Sequence, residues 1–198
     1  MTFTDTHCHL ADPKLADALP AVLAEAQAVG VARFIVPATS PKDWQAVAQL
    51  ERSSENIHIA LGIHPWFSDG IDKTAFQQLE TELIQHPQAW VGEIGLDFYG
   101  KEQTQAQRDT QTDVFIRQLI LAQNLNRRVI IHNLKATAAI AAAVKTAGFT
   151  RGGIVHAFSG SVEEARILVK LGFKIGIGSL LLNPNAKKVR VALQALND

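Results

Sequence analysis

The sequence predicts an α/β protein: a parallel (β/α) barrel of the TIM type with seven of the expected eight strands, the last βα unit being missing. Short apolar, β-branched runs alternate with longer segments of helical period, which is typical of βαβ units in a parallel sheet. An open, doubly wound sheet would usually carry a glycine-rich turn after its first strand, whereas this position reads Asp5-Thr6-His7-Cys8-His9. The barrel is therefore favoured over the open sheet.

The predicted strands are short, and several are uniformly apolar, as strands covered on both faces should be. They are Phe3–Thr6, Val31–Pro37, Ile57–Ile63, Ala89–Glu93, Arg127–His132, Gly153–His156 and Phe173–Ile177. The predicted helices are Leu15–Val29, Pro41–Ser54, Thr74–Gln85, Gln103–Asn124, Lys135–Ala147, Val162–Leu171 and Ala186–Leu196. No proline-rich or serine-rich linker divides the chain, so residues 1–198 are expected to form one domain.

The composition excludes several classes of protein. Nineteen Lys and Arg balance nineteen Asp and Glu, so no net field draws the chain toward nucleic acid or an anionic membrane, and any phosphate affinity must be local. The single cysteine, Cys8, excludes an internal disulfide. The chain start lacks the features of a secretion signal, and no apolar run reaches about 18 residues. We therefore expect a cytoplasmic protein without a membrane partner.

Two histidines, His7 and His9, end the first predicted strand with one residue between them. Because side chains alternate along a strand, both imidazoles should project from the same face while Cys8 points away. Such a pair can bind one metal ion, or it can be an ordinary surface pair. The pair alone leaves both interpretations open.

Three further polar residues, Glu93, His132 and His156, end apolar strands. In a barrel the carboxyl ends of all strands meet at one rim, so these residues should converge with His7 and His9. Imidazole and carboxylate ligands together suit Zn, Mn, Fe, Co or Ni better than Ca. If Glu93 bridges two ions, with the histidine pair on one and His132 on the other, the site is a two-metal centre whose bound water is the nucleophile.

The order and spacing of several motifs resemble the TatD-type metal-dependent deoxyribonucleases, which belong to the amidohydrolase-like barrel superfamily. The motifs are Asp5-Thr6-His7-Cys8-His9, Gly62-Ile63-His64-Pro65, Gly92-Glu93-Ile94-Gly95-Leu96-Asp97, Ile131-His132, His156-Ala157-Phe158-Ser159-Gly160-Ser161 and Gly176-Ile177-Gly178. The resemblance implies two divalent ions (Zn, Mn, Mg or similar), with Glu93 as the catalytic carboxylate and His64 and Asp97 near the substrate. It implies as metal ligands His7, His9, Glu93, His132 and His156.

The sequence departs from the family pattern in two places. Family members usually have an arginine two residues after the ligand at His132, whereas this chain continues Asn133-Leu134-Lys135, so that a phosphate contact is missing or shifted to Lys135. Similar proteins also continue through an eighth strand that carries Glu-Thr-Asp. Without that strand, Phe3–Thr6 and Phe173–Ile177 would be unpaired edges, and we expect self-association through the open barrel edges.

These observations leave three functions open. The first is hydrolysis of phosphodiester bonds at the 3′ or 5′ ends of DNA, for which Trp66 could offer a stacking surface to a base. The second is hydrolysis of a small amide, ester or lactone, since the barrel hosts many reactions. The third is a truncated metal-binding chain with weak activity or none.

Overall fold

The computed structural model describes residues 2–100 and 102–196. Within them, seven parallel strands form one sheet in which each strand pairs with the next along the chain. The strands are β1 (Phe3–Asp5), β2 (Val31–Pro37), β3 (Ile57–Leu61), β4 (Trp90–Asp97), β5 (Val129–Leu134), β6 (Gly153–Val155) and β7 (Phe173–Ile175). The sheet curls into an open TIM-like barrel, which confirms the predicted fold class. Within the described residues, β1 and β7 each have one paired neighbour.

The helices follow the strands in alternation. They are α1 (Leu19–Ala28), α2 (Trp44–Glu51), α3 (Lys73–Gln85), α4 (Gln105–Asn124), α5 (Thr137–Thr146), α6 (Val162–Lys170) and α7 (Lys187–Gln194). Short 3₁₀ turns lie at Pro13–Leu15, Pro65–Phe67 and Ser179–Leu182. In the described part of the chain, no helix combines the length and the apolar character needed to cross a membrane.

Several boundaries differ from the sequence prediction, and the structure shows the physical reason for two of them. The first helix begins at Leu19 and not at Leu15, because Asp12 caps a separate turn at Pro13–Leu15. Pro20 then occupies the first turn of α1, where its missing N–H costs no hydrogen bond. Strand β4 continues four residues past Glu93 to Asp97, which lies opposite Leu134 on β5.

Alternation along the strands separates the apolar side chains into two clusters. Side chains on the outer face pack under the helices in the main core, where Phe115, Leu119 and Ile131 are completely buried. A second, smaller cluster fills the middle of the barrel and comprises Ile35, Ala60, Ile130 and Ile154, with Trp90 packed against it. This inner cluster lies between the two open ends of the barrel, one of which carries the histidines.

Candidate metal centre

The carboxylate of Glu93 occupies the centre of a histidine cluster at the carboxyl ends of the strands. Glu93 lies within β4 and is 2% exposed. Its Oε1 atom is 3.0 Å from Nδ1 of His132, 2.6 Å from Nε2 of His156 and 3.3 Å from Nε2 of His64. Its Oε2 atom faces Nε2 of His7 at 3.3 Å and Nε2 of His9 at 3.9 Å. The two carboxylate oxygens of Glu93 therefore face two different sets of histidines.

The segment after β1 presents both of its histidines to Oε2 of Glu93. The Asp5 carboxylate accepts a hydrogen bond from the His7 backbone N–H at 3.0 Å and fixes the start of this segment. The Nε2 atoms of His7 and His9 approach each other to 3.1 Å, and Nδ1 of His7 is buried without a hydrogen-bond partner among the described residues. Three donor atoms, from His7, His9 and Glu93, lie within 4.8 Å of one another. This donor set fits a divalent cation.

A second group of donor atoms lies around Oε1 of Glu93. The ligand atoms of His64, Glu93 and His132 also lie within 4.8 Å of one another. The ring of His156 stacks on the ring of His7, with centroids 3.6 Å apart, and so joins the two groups. The structure thus brings together all five residues predicted as ligands, and it places His64 among them.

The hydrogen bonding of His64 indicates that its Nε2 atom acts as a hydrogen-bond donor and not as a metal ligand. The backbone N–H of Trp66 donates to Nδ1 of His64 at 3.2 Å. A neutral imidazole that accepts at Nδ1 carries its proton on Nε2, which is the atom that faces Glu93. A protonated nitrogen has no lone pair for a metal ion. We therefore expect His64 to donate from Nε2 to Glu93 or to a substrate oxygen.

The charges in the cluster shift the pKa values in different directions. Burial alone would raise the pKa of Glu93, but hydrogen bonds from four surrounding imidazoles outweigh it and hold the pKa far below the usual range. Burial lowers the pKa of His7 and outweighs its contact with Glu93. Burial also opposes protonation of His132, but there the carboxylates of Glu93 and Asp97 outweigh burial and raise the pKa. Glu93 is thus held anionic and His7 neutral, as metal ligands need to be.

Asp97 connects the cluster to an exposed indole on the rim. The Asp97 carboxylate is 3.3 Å from Nε2 of His132 and accepts a hydrogen bond from the Trp66 indole N–H at 2.7 Å. The backbone N–H of Tyr99 donates to the same carboxylate at 3.1 Å, so Asp97 is held from several sides. Trp66 itself is 70% exposed. Its ring is therefore anchored at one end while most of its surface faces solvent.

The histidine cluster forms the floor of a cavity of about 470 Å³. Trp66, Phe67 and Pro13 line its wall, and so does Asp43, which the sequence did not reveal as part of the site. Asp43 accepts hydrogen bonds from the backbone N–H groups of Thr39 and Ser40 and fixes the segment after β2. A carboxylate three residues after Ser40 was the available signal, because an acidic residue at this spacing typically accepts a hydrogen bond from the backbone N–H of the Ser at a helix start.

Three residues discussed from the sequence lie away from the metal donors. Lys135 is exposed and is absent from the described residues that line the cavity. The amide of Asn133 donates to the Thr137 hydroxyl at 2.9 Å, toward the start of α5. The Cys8 thiol faces the carbonyl of Ile35 at 3.7 Å, and burial followed by the charge of Asp5 raises its pKa to about 12. Cys8 is therefore unsuited to act as a nucleophile.

A parallel β/α barrel with histidines and a buried glutamate at the carboxyl ends of its strands is typical of metal-dependent hydrolases. The chain belongs to the TatD-related DNase family, because the family model described as "TatD related DNase" matches residues 4–198. The family resemblance predicted from the sequence is confirmed.

Individual relatives agree with the family assignment. The chain is 35% identical over 196 residues to "Uncharacterized metal-dependent hydrolase YjjV" of Escherichia coli K12, covering 98% of this chain and 74% of that protein. It is 32% identical over 196 residues to "Uncharacterized metal-dependent hydrolase YabD" of Bacillus subtilis, covering 97% of this chain and 74% of that protein. The crystal structure of the Escherichia coli TatD homologue YjjV superimposes with a TM-score of 0.89, covering 96% of this chain and 73% of that one.

We expect divalent metal affinity to fall as the pH is lowered, because a cation can bind His132 only after the imidazole loses its proton. The raised pKa of His132 places this competition at a higher pH than for an ordinary histidine. Below that pKa, the affinity should fall about tenfold per pH unit for the one proton displaced. Competition titrations of Zn²⁺ between about pH 5.5 and about pH 8 measure this. The His132→Ala variant should show a weaker dependence, and an affinity that stays constant over this range would contradict the prediction.

Proposed function

We propose that this chain hydrolyses phosphodiester bonds at the ends of DNA, with two divalent ions held by the cluster around Glu93. The ligands in this proposal are His7, His9, Glu93, His132 and His156. The observation that carries it is the position of Glu93, whose two oxygens face two separate sets of imidazoles. The description of the matching family as DNases supports the choice of DNA.

Glu93, His64 and Asp97 would have different roles in this reaction. Bound divalent ions would polarise the phosphodiester and activate water. Glu93 stays anionic and so holds positive charge at the centre of the site without acting as a proton donor. His64, with its proton on Nε2, can donate a hydrogen bond to a substrate oxygen. Asp97 fixes the ring of His132 and the indole of Trp66 relative to each other.

The rim of the cavity offers a surface for the terminal base. Trp66 is exposed and anchored through its indole N–H, so a base can stack on its ring at little entropic cost. Phe67, 45% exposed, adjoins it on the cavity wall. The balanced overall charge fits a substrate held at its end by local contacts, as opposed to one held along its backbone.

A second candidate function, hydrolysis of a small amide, ester or lactone, is favoured by one specific observation. The cavity lining includes no lysine or arginine within the part of the chain that the structure describes. A DNA end would then have to be held chiefly by the metal ions and by the rim. The apolar side chains of Ala11, Pro13 and Val47 on the cavity wall would suit a small uncharged substrate.

One set of assays separates the two candidate functions. We expect the metal-loaded chain to release mononucleotides from a labelled single-stranded oligonucleotide, with loss of activity on chelation and a decrease with added salt. Hydrolysis of a neutral ester by the same preparation should be weaker and indifferent to salt. The His132→Ala variant should lose the nuclease activity. The matched control is His58→Ala, which removes an exposed histidine at the opposite end of the barrel.

The same assays test the role of Trp66. Trp66→Ala should raise KM for the oligonucleotide about tenfold or more, since base stacking on an aromatic side chain contributes about 1–3 kcal/mol. Trp66→Phe should recover part of this loss, because it retains a ring but lacks the indole N–H. Chelator-sensitive ester hydrolysis without nuclease activity would favour the second candidate, and the absence of both activities would leave a metal-binding chain.

We also propose that the chain associates with itself through the edges of β1 and β7. An edge strand presents unpaired backbone groups that template pairing with another chain, and Phe3 on β1 is 52% exposed. Light scattering over a range of concentrations should show a mean mass that rises with concentration. Phe3→Ser should weaken this rise, whereas Ile84→Ser, which alters a 61% exposed side chain on α3, should not. A monomer at every concentration would contradict the proposal.

A further inference from the structure

The end of the barrel opposite the histidine cluster contains a second cavity, of about 650 Å³, at the amino ends of the strands. Four basic side chains, one from β2 and three from the neighbouring strands β5, β6 and β7 or the residues just before them, line this cavity, which we call the basic mouth. They are Arg33 on β2, Arg128 before β5, Arg151 before β6 and Lys174 on β7. Arg33, Arg128 and Lys174 lie two residues before the inward-facing positions Ile35, Ile130 and Gly176, so they leave the sheet on its inner face at this end, where they are exposed to solvent.

The charge of the basic mouth is not neutralised by its surroundings. Within residues 2–100 and 102–196, the lysine and arginine side chains that form ion pairs are Arg117 on α4 and Lys188 on α7, neither of which lines this cavity. No aspartate or glutamate occurs among the described residues of its lining. Branched aliphatic side chains usually fill the layers of such a barrel. At this end of the barrel the layer instead carries four exposed cations, which together give the concave site a positive potential.

The basic mouth is separate from the metal centre. The inner apolar cluster, which includes Ile35, Ala60 and Ile130, lies between the two cavities and is buried. At the wall of the mouth, the guanidinium of Arg128 lies 5.6 Å from the ring centroid of Trp90. This cation–π contact orients Arg128 while leaving its N–H groups available. An anion bound here would not touch the histidine cluster around Glu93.

We propose that the basic mouth binds a small polyvalent anion of the phosphate class, such as a molecule that carries a di- or triphosphate group. Several cations around one cavity favour a ligand with several negative charges, because a single charge would leave the remaining cations uncompensated. Guanidinium groups bind phosphate oxygens in a bidentate manner, and the Thr4 and Thr6 hydroxyls in the lining can add hydrogen bonds. The proposal does not depend on the reaction at the metal centre.

Inorganic tripolyphosphate is the probe, titrated calorimetrically into the full chain in the presence of a chelator, so that metal ions contribute nothing. We expect saturable binding that is tighter for tripolyphosphate than for pyrophosphate and weakest for phosphate. The melting temperature should rise with the concentration of the probe and not with sodium chloride of the same ionic strength, because a ligand of the folded state stabilises it.

Two pairs of variants test whether tripolyphosphate binds in the basic mouth. Arg128→Gln and Lys174→Gln should each weaken tripolyphosphate binding at least tenfold. Arg166→Gln and Lys170→Gln remove exposed cations of α6 outside the cavity lining and should leave the affinity unchanged. Equal losses in both pairs, or no saturable binding by the wild type, would overturn the proposal. Loss of binding in His132→Ala with full binding in Arg128→Gln would also overturn it, because the anion would then occupy the histidine cluster.

Discussion

Replacing Glu93 with glutamine should reduce hydrolysis by a factor on the order of 10²–10⁴, because the site loses the ions that Glu93 holds and with them several kcal/mol of charge stabilisation. The neutral amide keeps the size of the side chain but loses the charge that five imidazoles surround. Its NH₂ group would also face ring nitrogens that the carboxylate oxygens now accept from. The bound divalent metal should fall with the activity, and elemental analysis of the purified variant measures it.

The matched control for this change is Glu80→Gln, which alters an exposed glutamate of α3. It should retain both the metal and the activity. A Glu93→Gln variant that turns over at the wild-type rate would remove Glu93 from the proposed chemistry. Full activity with reduced metal content would show that the ions that Glu93 holds are not needed for the reaction.

The pH dependence of stability offers an independent test of Glu93 in the metal-free chain. The pKa of Glu93 is lower in the folded protein than in the unfolded chain, so its stabilising contribution is present above the usual glutamate pKa. That contribution is lost as the pH falls below the usual value toward the folded pKa. The difference in unfolding free energy between wild type and Glu93→Gln should therefore shrink as the solution is acidified. Denaturant titrations of both proteins at neutral and acidic pH measure this difference.

The convergence of the candidate ligands could be predicted from the sequence because barrel topology fixes it. Each candidate ligand lies near the middle of a strand, in its carboxyl half or just after it, and the carboxyl ends of parallel strands share one rim whatever the loop lengths. The distribution of the histidines between the two oxygens of Glu93 could not be predicted, since it depends on the rotation of β4 relative to its neighbours. The position of the proton on His64 could not be predicted either, because the hydrogen bond from the backbone N–H of Trp66 fixes it.

The rim and the basic mouth show two other features that are hard to predict from the sequence. Trp66 could be proposed as a stacking surface, but its hydrogen bond to Asp97 joins residues 31 positions apart and has no local signature. In β2 and β7, Arg33 and Lys174 occupy inward positions within strands whose other residues are apolar. A period of two applied to every strand would have placed these cations inside the barrel.

The close approach of β4 and β5 should make Gly95→Ala one of the most destabilising single changes in this chain. Gly95 has a φ of 139°, and a Cβ atom there would overlap the backbone carbonyl oxygen of His132. Backbone strain and overpacking together should lower the free energy of unfolding by about 3–5 kcal/mol. Because Gly95 is paired with His132, moving the strands apart also displaces a proposed ligand. Metal content should therefore fall along with the stability.

The glycine after α5 provides a comparison site at which a positive φ occurs without steric overlap. Gly148 has a φ of 60°, and a Cβ atom built on it meets no other atom within 4 Å. Gly148→Ala should therefore cost only the strain of a left-handed residue, about 1–2 kcal/mol, and leave the metal content unchanged. Denaturant unfolding of both variants gives the two free energies, and their difference measures the greater backbone strain at Gly95 together with its contact with the His132 backbone. Equal losses in both variants would show that the two strands can separate at no cost, contrary to the packing of β4 against β5.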